Sequence, residues 1–183
     1  MARVLIPLAQ GCEELEAVTI IDLLRRAEIE VITASLDNAP VKCARGTVII
    51  ADTNLGEIIN DSFDLMVLPG GLPGADNLNA DSRIHQLITR LADEGKHIGA
   101  ICAAPKVLFE NGILNGKKAT AYPGSLDAMD TSRLSLNNEA IQIDGKVITS
   151  RGPGTAMDFA LMLIEILLGK DARNQVETPL QRI

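Results

Sequence analysis

The stretch IGAICAAPKVLFENGIL, residues 98–114, passes from an apolar strand pattern directly into a helix pattern. Its first residues form a short apolar run, which is typical of a strand buried on both faces of a sheet. Cys102 lies at the junction, between the small residues Ala100 and Ala103. Pro105 follows at a position that suits the first turn of a helix, where its missing N–H costs nothing. The stretch therefore predicts a strand, a tight turn that carries a thiol, and a helix.

Strand and helix patterns alternate on both sides of this unit. Strand patterns cover residues 3–9, 30–36, 64–71 and 117–122, and a β-rich segment covers 41–52. An Asp-Gly turn indicates a hairpin at 140–150. Helix patterns cover 13–29, 81–95 and the segment from Thr155 to about Gly169, and a Gly/Pro/Asn loop precedes the helix pattern at 81–95. This alternation predicts an α/β fold, with a mostly parallel sheet and helices on both of its faces. Because no linker or repeat interrupts it, and 46% of the 183 residues are hydrophobic, we expect residues 1–183 to form one domain.

Charge and cysteine content argue against several classes of function. The net charge is −7 and the longest basic run is the pair Arg25-Arg26, whereas nucleic-acid binding requires clustered Lys and Arg. The chain has no apolar run of roughly 18 residues and no pattern of a signal peptide, so we expect a cytoplasmic protein without a membrane anchor. Cys12, Cys43 and Cys102 are widely spaced and form no CxxC pair. This spacing predicts free thiols, with neither a metal site nor a disulfide scaffold.

Three loops with unusual residues follow the carboxyl ends of buried strands: AQGCEELE (9–16), PGGLPGADN (69–77) and CAAP (102–105). Ligands of open parallel sheets bind beyond these ends, so we expect the loops to form one site. The helix N-terminus beside Cys102 favours a thiolate and predicts a lowered pKa. The N–H groups of Ala103 and Gly71 are candidates to hold an oxyanion. The alternative is that Cys102 is a small core hydrophobe.

Glu16 is the acid best placed to face this thiol. Glu13, Glu14 and Glu16 crowd the first turn of one helix, and Glu16 shares a helix face with the apolar residues Ile20 and Leu23. Burial and a neighbouring thiolate should raise the pKa of Glu16, so that it stays protonated as a hydrogen-bond donor. The alternative is an ordinary first-turn acid that interacts with the helix dipole.

Four segments carry a resemblance to one family: GCEELEAV (11–18), DLMVLPGG (64–71), AICAAP (100–105) and TSRGPGTAMDFAL (149–161). Together they resemble the superfamily of ThiJ, PfpI and Parkinson disease protein 7 (DJ-1), in the branch of DJ-1 and its bacterial YajL-like relatives. The similarity runs in order over nearly the whole chain. It implies a single ThiJ/PfpI domain, related to class I glutamine amidotransferases, with a flavodoxin-like three-layer sandwich that pairs as a homodimer.

The resemblance also implies roles for particular residues. Cys102 matches the nucleophilic, oxidisable cysteine at the family's nucleophile elbow, and Glu16 matches the carboxylic acid that hydrogen-bonds it. Gly71 and Ala103 match the backbone donors beside the sulfur. Protease-like members carry a histidine after the nucleophile, and Ala103 stands there in this chain. Tyr122 stands where the human relative has a histidine near the cysteine.

The remaining candidates have ordinary alternatives. Arg26 and Arg45 match family arginines near the dimer interface and the site entrance, but they are equally suited to surface ion pairs. His97 begins the strand that ends near Cys102, so it should lie roughly 16 Å from the thiol, at the other end of the sheet. We expect Cys43 and its fellow cysteine in the first loop to pack or to line the edge of the site.

The resemblance implies one enzymatic and one non-enzymatic function. In the first, Cys102 and Glu16 act as nucleophile and proton carrier of a glyoxalase or deglycase. The substrates would be α-oxoaldehydes such as methylglyoxal, which yields lactate, or their adducts with proteins and nucleotides, and no metal or organic cofactor is needed. In the second, oxidation of Cys102 to a sulfinate makes the chain a redox-responsive stress protein or chaperone. Both functions need Cys102, and turnover of an aldehyde separates them.

Overall fold

The computed structural model describes residues 1–182. Its strands are Arg3–Leu8 (β1), Glu30–Ser35 (β2), Val41–Lys42 (β3), Val48–Ile49 (β4), Thr53–Asn54 (β5), Leu65–Leu68 (β6), His97–Ile101 (β7), Lys118–Thr120 (β8), Ser135–Asn137 (β9), Ile141–Asp144 (β10) and Val147–Ser150 (β11). Its α-helices are Glu14–Arg26 (α1), Leu55–Ile58 (α2), Gly74–Ala80 (α3), Ser82–Asp93 (α4), Pro105–Asn111 (α5), Ala156–Leu168 (α6) and Lys170–Glu177 (α7).

The central sheet has seven strands in the order β10-β11-β7-β6-β1-β2-β5. All neighbours pair in parallel except β10 and β11, which form the predicted hairpin. The predicted fold class, a mostly parallel sheet with helices on both faces, is therefore confirmed. Because β7, β6 and β1 are neighbours, the loops that leave their carboxyl ends meet at one edge of the sheet.

Each face of the sheet carries its own hydrophobic core. Along β1, Val4 and Ile6 belong to the core covered by α1 and α6, whereas Leu5 belongs to the core on the opposite face, covered by α3, α4 and α5. This alternation follows from the two-residue period of a strand. Each fully buried aliphatic side chain contributes about 1.5 to 3 kcal/mol of transfer free energy, so burial on both faces secures the central strands.

Several elements differ from the sequence-based prediction, which extended β6 to residue 71 and did not include α2 or α7. The segment predicted as a Gly/Pro/Asn loop contains α3, because burial of Ala75 and Leu78 against neighbouring helices outweighs the low helix propensity of Gly and Asn. Helix α1 ends three residues earlier than predicted, close to Glu28, whose φ of 58° does not continue a helix. Among the described residues, no helix combines the length and the apolar character that a membrane crossing requires.

Candidate active site

Cys102 occupies the sharp turn between β7 and α5, so the predicted strand, turn and helix are confirmed. Its φ of 63° lies in the left-handed region, which residues other than glycine rarely adopt. The Cys102 N–H donates to the Ser150 carbonyl at 3.0 Å, and the Cys102 carbonyl accepts from the Tyr122 N–H at 2.8 Å. A backbone strain of about 1 to 3 kcal/mol persists only where the surroundings hold the residue in this way. The turn therefore presents Cys102 in a conformation that neighbouring strands and loops impose.

Gly70, in the loop after β6, allows this turn to approach the neighbouring strand. A Cβ atom at position 70 would lie 2.6 Å from the Cys102 Cβ and 2.8 Å from the Ile101 carbonyl oxygen, closer than real contacts allow. The Gly70 N–H also donates to Glu16 Oε2 at 2.8 Å. Gly71 was predicted from the sequence as a backbone donor and Gly70 was not, although the double glycine of PGG indicates a close backbone approach at either position.

Glu16 reaches the turn from the first turn of α1 and is fully buried. One carboxyl oxygen accepts the Gly70 hydrogen bond. The other, Oε1, is buried and forms no regular hydrogen bond within the described part of the chain. The thiol of Cys102 lies close enough to Glu16 that each group shifts the pKa of the other. The structure therefore brings together the two side chains that the resemblance pairs.

Burial raises the pKa of Glu16 to about 7, from an ordinary value of 4.5. The Gly70 N–H and the Cys102 thiol stabilise the carboxylate and oppose this rise, but desolvation is the larger effect. The predicted direction of the shift is confirmed, although the Cys102 thiol lowers the pKa of Glu16 instead of raising it as a like charge would. Near neutral pH this carboxyl can therefore both accept and donate a proton.

The pKa of the Cys102 thiol is raised to about 12, first by burial and then by the negative charge of Glu16. The N–H groups of Gly71 and Ala103 lie beside the sulfur and lower the pKa, as the predicted oxyanion donors should, but their effect is smaller. The prediction of a lowered pKa was wrong because it considered the helix N-terminus alone and not desolvation by the rest of the fold. Near neutral pH the thiol therefore keeps its proton unless a neighbouring base accepts it.

Tyr122, a possible site-lining residue, contacts Cys102 through the hydrogen bond from its backbone N–H to the Cys102 carbonyl. It follows β8, and its side chain is half-exposed. The ring lies against the backbone of Gly152, where a Cβ atom would be 3.2 Å from Tyr122 Cδ2. Tyr122 is thus held at the turn by its N–H, with its ring directed at the loop before α6.

The two candidate arginines lie in different places. Arg26 follows Glu16 by ten residues on α1, a rise of roughly 15 Å, and pairs with Asp22 at 2.7 Å on the exposed face. Within one chain, the structure does not bring Arg26 to the thiol. Arg45 lies in the connection between β3 and β4, where its backbone N–H donates to the Glu14 carboxylate at 3.0 Å. Arg45 therefore lies near the start of α1, with its side chain exposed.

The two histidines lie away from the Cys102 turn. His85, on α4, has its Nε2 2.9 Å from the Asn79 carbonyl oxygen of α3, and His97, at the start of β7, has its Nε2 3.3 Å from Lys146 Nζ. Among residues 1–182, no three side chains of His, Cys, Asp or Glu converge as metal ligands would. The groups available for chemistry at the turn are therefore the thiol, the carboxyl and the backbone N–H donors.

Comparison with known proteins places these features in a family. The chain matches the DJ-1/PfpI family over residues 2–166. It is 42% identical, over 97% of its length, to Protein DJ-1 homolog B of Arabidopsis thaliana, but it spans only 41% of that protein and 45% of Protein DJ-1 homolog A. It is 36% identical to the glutathione-independent glyoxalase DJR-1.2 of Caenorhabditis elegans, and the match covers 98% of this chain and 95% of the relative.

Solved structures agree with this assignment. Drosophila melanogaster DJ-1beta superposes with a TM-score of 0.95 at 40% identity, covering 100% of this chain and 98% of the other. Oxidised DJ-1 of Toxoplasma gondii superposes with a TM-score of 0.93 at 37% identity, covering 98% of both chains. With the same fold, and with sequence similarity over nearly its whole length, the chain belongs to the DJ-1/PfpI family.

Proposed function

We propose that this chain is a cofactor-free glyoxalase that converts α-oxoaldehydes to α-hydroxy acids, such as methylglyoxal to lactate, with Cys102 as nucleophile and Glu16 as proton carrier. The observation that carries the proposal is a buried carboxyl, with a pKa of about 7, beside a thiol held in a left-handed turn. The C. elegans relative, which is named a glutathione-independent glyoxalase, supports the same class of reaction.

The reaction needs no external oxidant or reductant. As the Cys102 sulfur adds to the aldehyde carbon, the thiol proton passes to Glu16 and from there to the former aldehyde oxygen, which gives a hemithioacetal and leaves Glu16 as a carboxylate. Glu16 then takes the proton of the former aldehyde carbon, the hydroxyl proton moves to the former ketone oxygen in the resulting enediolate, and Glu16 returns its proton to the former ketone carbon, which leaves a thioester. Water hydrolyses the thioester, releases the hydroxy acid and restores the thiol. One carbon is oxidised while its neighbour is reduced, so the only other reactant is one water molecule.

The backbone donors supply the electrostatic part of this mechanism. The N–H groups of Gly71 and Ala103 lie beside the sulfur. An oxygen on the carbon that the sulfur attacks would lie within their reach and would be stabilised as its negative charge develops. Adducts of α-oxoaldehydes with amines of proteins or nucleotides present a similar carbon, so deglycation would use the same groups.

A lactate assay with methylglyoxal and no added glutathione tests the proposal. We expect the wild-type protein to produce one lactate enantiomer, whereas Cys102→Ser should lose at least about a hundredfold in rate. Cys43→Ser is the matched control, because it removes a buried thiol that lies outside the turn, and it should retain the wild-type rate. Racemic product, or equal rates for wild type and Cys102→Ser, would contradict the proposal.

Redox signalling is the second candidate, and the donors around the sulfur favour it. A sulfinate on Cys102 would accept hydrogen bonds from the Gly71 and Ala103 N–H groups and from protonated Glu16. Under this alternative, mild peroxide adds two oxygens to Cys102, spares the other cysteines from oxygen addition, and no aldehyde is turned over. Peptide mass spectrometry beside the lactate assay distinguishes the two functions.

A further inference from the structure

The cysteines outside the Cys102 turn lie in contact with each other. The Sγ atoms of Cys12 and Cys43 are 3.6 Å apart, although 31 residues separate them in the sequence. Cys12 follows β1 and is fully buried, and Cys43 follows β3 and is 4% exposed. Neither thiol has a part in the chemistry proposed for Cys102.

The backbone holds these two segments side by side. The Gly11 N–H donates to the Lys42 carbonyl, and the Ala44 N–H donates to the Cys12 carbonyl, each at 2.8 Å. The side-chain oxygen of Gln10 also accepts from the Lys42 N–H at 2.9 Å. Hydrogen bonds on both sides of the thiols therefore fix their separation, which does not depend on side-chain rotamers alone.

We propose that Cys12 and Cys43 are a redox-active dithiol that closes reversibly to a disulfide, a modification site separate from Cys102. The oxidant is a low-molecular-weight disulfide such as oxidised glutathione. Cys43, the more exposed thiol, attacks it, forms a mixed disulfide and releases one glutathione. Cys12 then attacks the Cys43 sulfur and releases the second glutathione. The protein loses two protons and two electrons, and the oxidant takes them up to become two thiols.

The geometry makes the second step the fast one. A disulfide needs a sulfur separation of about 2.05 Å, so the two atoms must approach by only about 1.5 Å in total. Burial raises the pKa of both thiols, which keeps them protonated near neutral pH and makes the first attack slow. Once the mixed disulfide exists, its partner thiol is already in place, which gives an intramolecular reaction a large advantage.

The bond would join the loop that leads into α1 to the hairpin of β3 and β4. It would also differ from oxidation of Cys102 in being reversible, because thiols reduce a disulfide but do not reduce a sulfinate. The chain would thus carry one reversible and one irreversible oxidation site.

Non-reducing peptide mapping tests the proposal. The folded protein is treated with excess oxidised glutathione at about pH 8, alkylated, and digested with trypsin, which places Cys12, Cys43 and Cys102 in the separate peptides 4–25, 43–45 and 97–106. We expect peptides 4–25 and 43–45 to be joined, with a loss of two hydrogens that dithiothreitol reverses. Cys102→Ser should form the same crosslink, whereas Cys12→Ser should leave Cys43 as a mixed disulfide with glutathione.

Two results would overturn the proposal. One is a crosslink of peptide 97–106 to either other peptide as frequent as the expected one. The other is free, alkylated Cys12 and Cys43 under conditions in which the urea-unfolded chain forms disulfides. The first is read from the wild type and the second from the wild type and Cys102→Ser, so the conclusion does not depend on whether Cys12→Ser folds.

Discussion

Cys102 and Glu16 form a pair of side chains whose protons are coupled. Glu16 has a pKa of about 7, and the pKa of the Cys102 thiol is raised to about 12. Above about pH 7 the pair therefore keeps one proton, which lies mainly on the sulfur because the thiol has the higher pKa. When this proton moves to Glu16, a thiolate faces a hydrogen-bond donor. The proposed reaction passes through this minor form, because it combines a nucleophile with an acid.

Replacing Glu16 by Gln should separate its proton transfer from its hydrogen bonds. The oxygen of the substituted amide can still accept from the Gly70 N–H, but an amide cannot take the thiol proton. We expect the rate of lactate formation to fall by roughly a hundredfold or more, with the circular dichroism spectrum unchanged. Glu13→Gln is the matched control, because it removes an acid at the residue directly before α1, and it should change the rate less than about threefold. Wild-type turnover in Glu16→Gln would show that Glu16 is not the proton carrier.

The same residue should make the stability of the protein depend on pH. The folded-state pKa of about 7 lies above the ordinary value of 4.5, so the folded protein binds the extra proton between these values. The stability linked to protonated Glu16 is fully present below about pH 4.5 and is lost as the pH rises through about 7. Between about pH 4.5 and 8, we expect wild type to lose about 1 to 3 kcal/mol relative to Glu16→Gln. Urea unfolding of both proteins at the two pH values measures this, and parallel pH profiles would contradict it.

At the scale of elements, the site depends on three adjacent strands and the loops that leave them. β1 leads through a loop to α1 and Glu16, β6 leads to Gly70, and β7 leads to Cys102. Since the strands are parallel neighbours, the three loops must pack at one edge of the sheet. The loop after β6 and the turn after β7 approach each other closely, and glycine at position 70 avoids a clash there.

Gly70→Ala should disturb this junction. The added Cβ would lie 2.6 Å from the Cys102 Cβ, so either the loop or the turn must shift. We expect a loss of about 1 to 3 kcal/mol in the free energy of unfolding, as in other overpacked sites, together with lower lactate production. Gly154→Ala is the control, because a Cβ there meets no atom within 4 Å. Urea unfolding of both variants measures the difference, and equal stabilities would remove the argument for close packing at position 70.

At the scale of the molecule, large apolar side chains are exposed on α1 and near β4. Leu15 and Val18 on α1 are 51% and 49% exposed, and Val48 and Ile50 near β4 are 59% and 82% exposed. Contiguous exposed apolar side chains mark interaction surfaces. We therefore propose that two copies pair through this surface as a closed two-fold dimer, and that residues 1–183 act as one domain within it.

Ile50→Lys should weaken this dimer, because it places a charge in an apolar contact. We expect wild type to sediment at about twice the chain mass of 19.5 kDa at micromolar concentration, and Ile50→Lys to shift toward the single-chain mass. Ile143→Lys is the control, since Ile143 is an exposed apolar residue on β10, at the other edge of the sheet. A wild-type species at 19.5 kDa alone would contradict the dimer.

Local sequence patterns determined the alternation of strands and helices and the position of Cys102 at a turn, because both depend on residue spacing and on turn chemistry within short segments. Tertiary structure alone decided three other features: the formation of α3, the direction of the pKa shift of Cys102, and the contact between Cys12 and Cys43. Helix α3 forms because its apolar residues are buried against α4 and α5. The pKa of Cys102 rises because several elements exclude water from it. Cys12 and Cys43 touch because backbone hydrogen bonds join segments that lie 31 residues apart. Desolvation and long-range contact are properties of the packed fold, and residue spacing within one segment does not contain them.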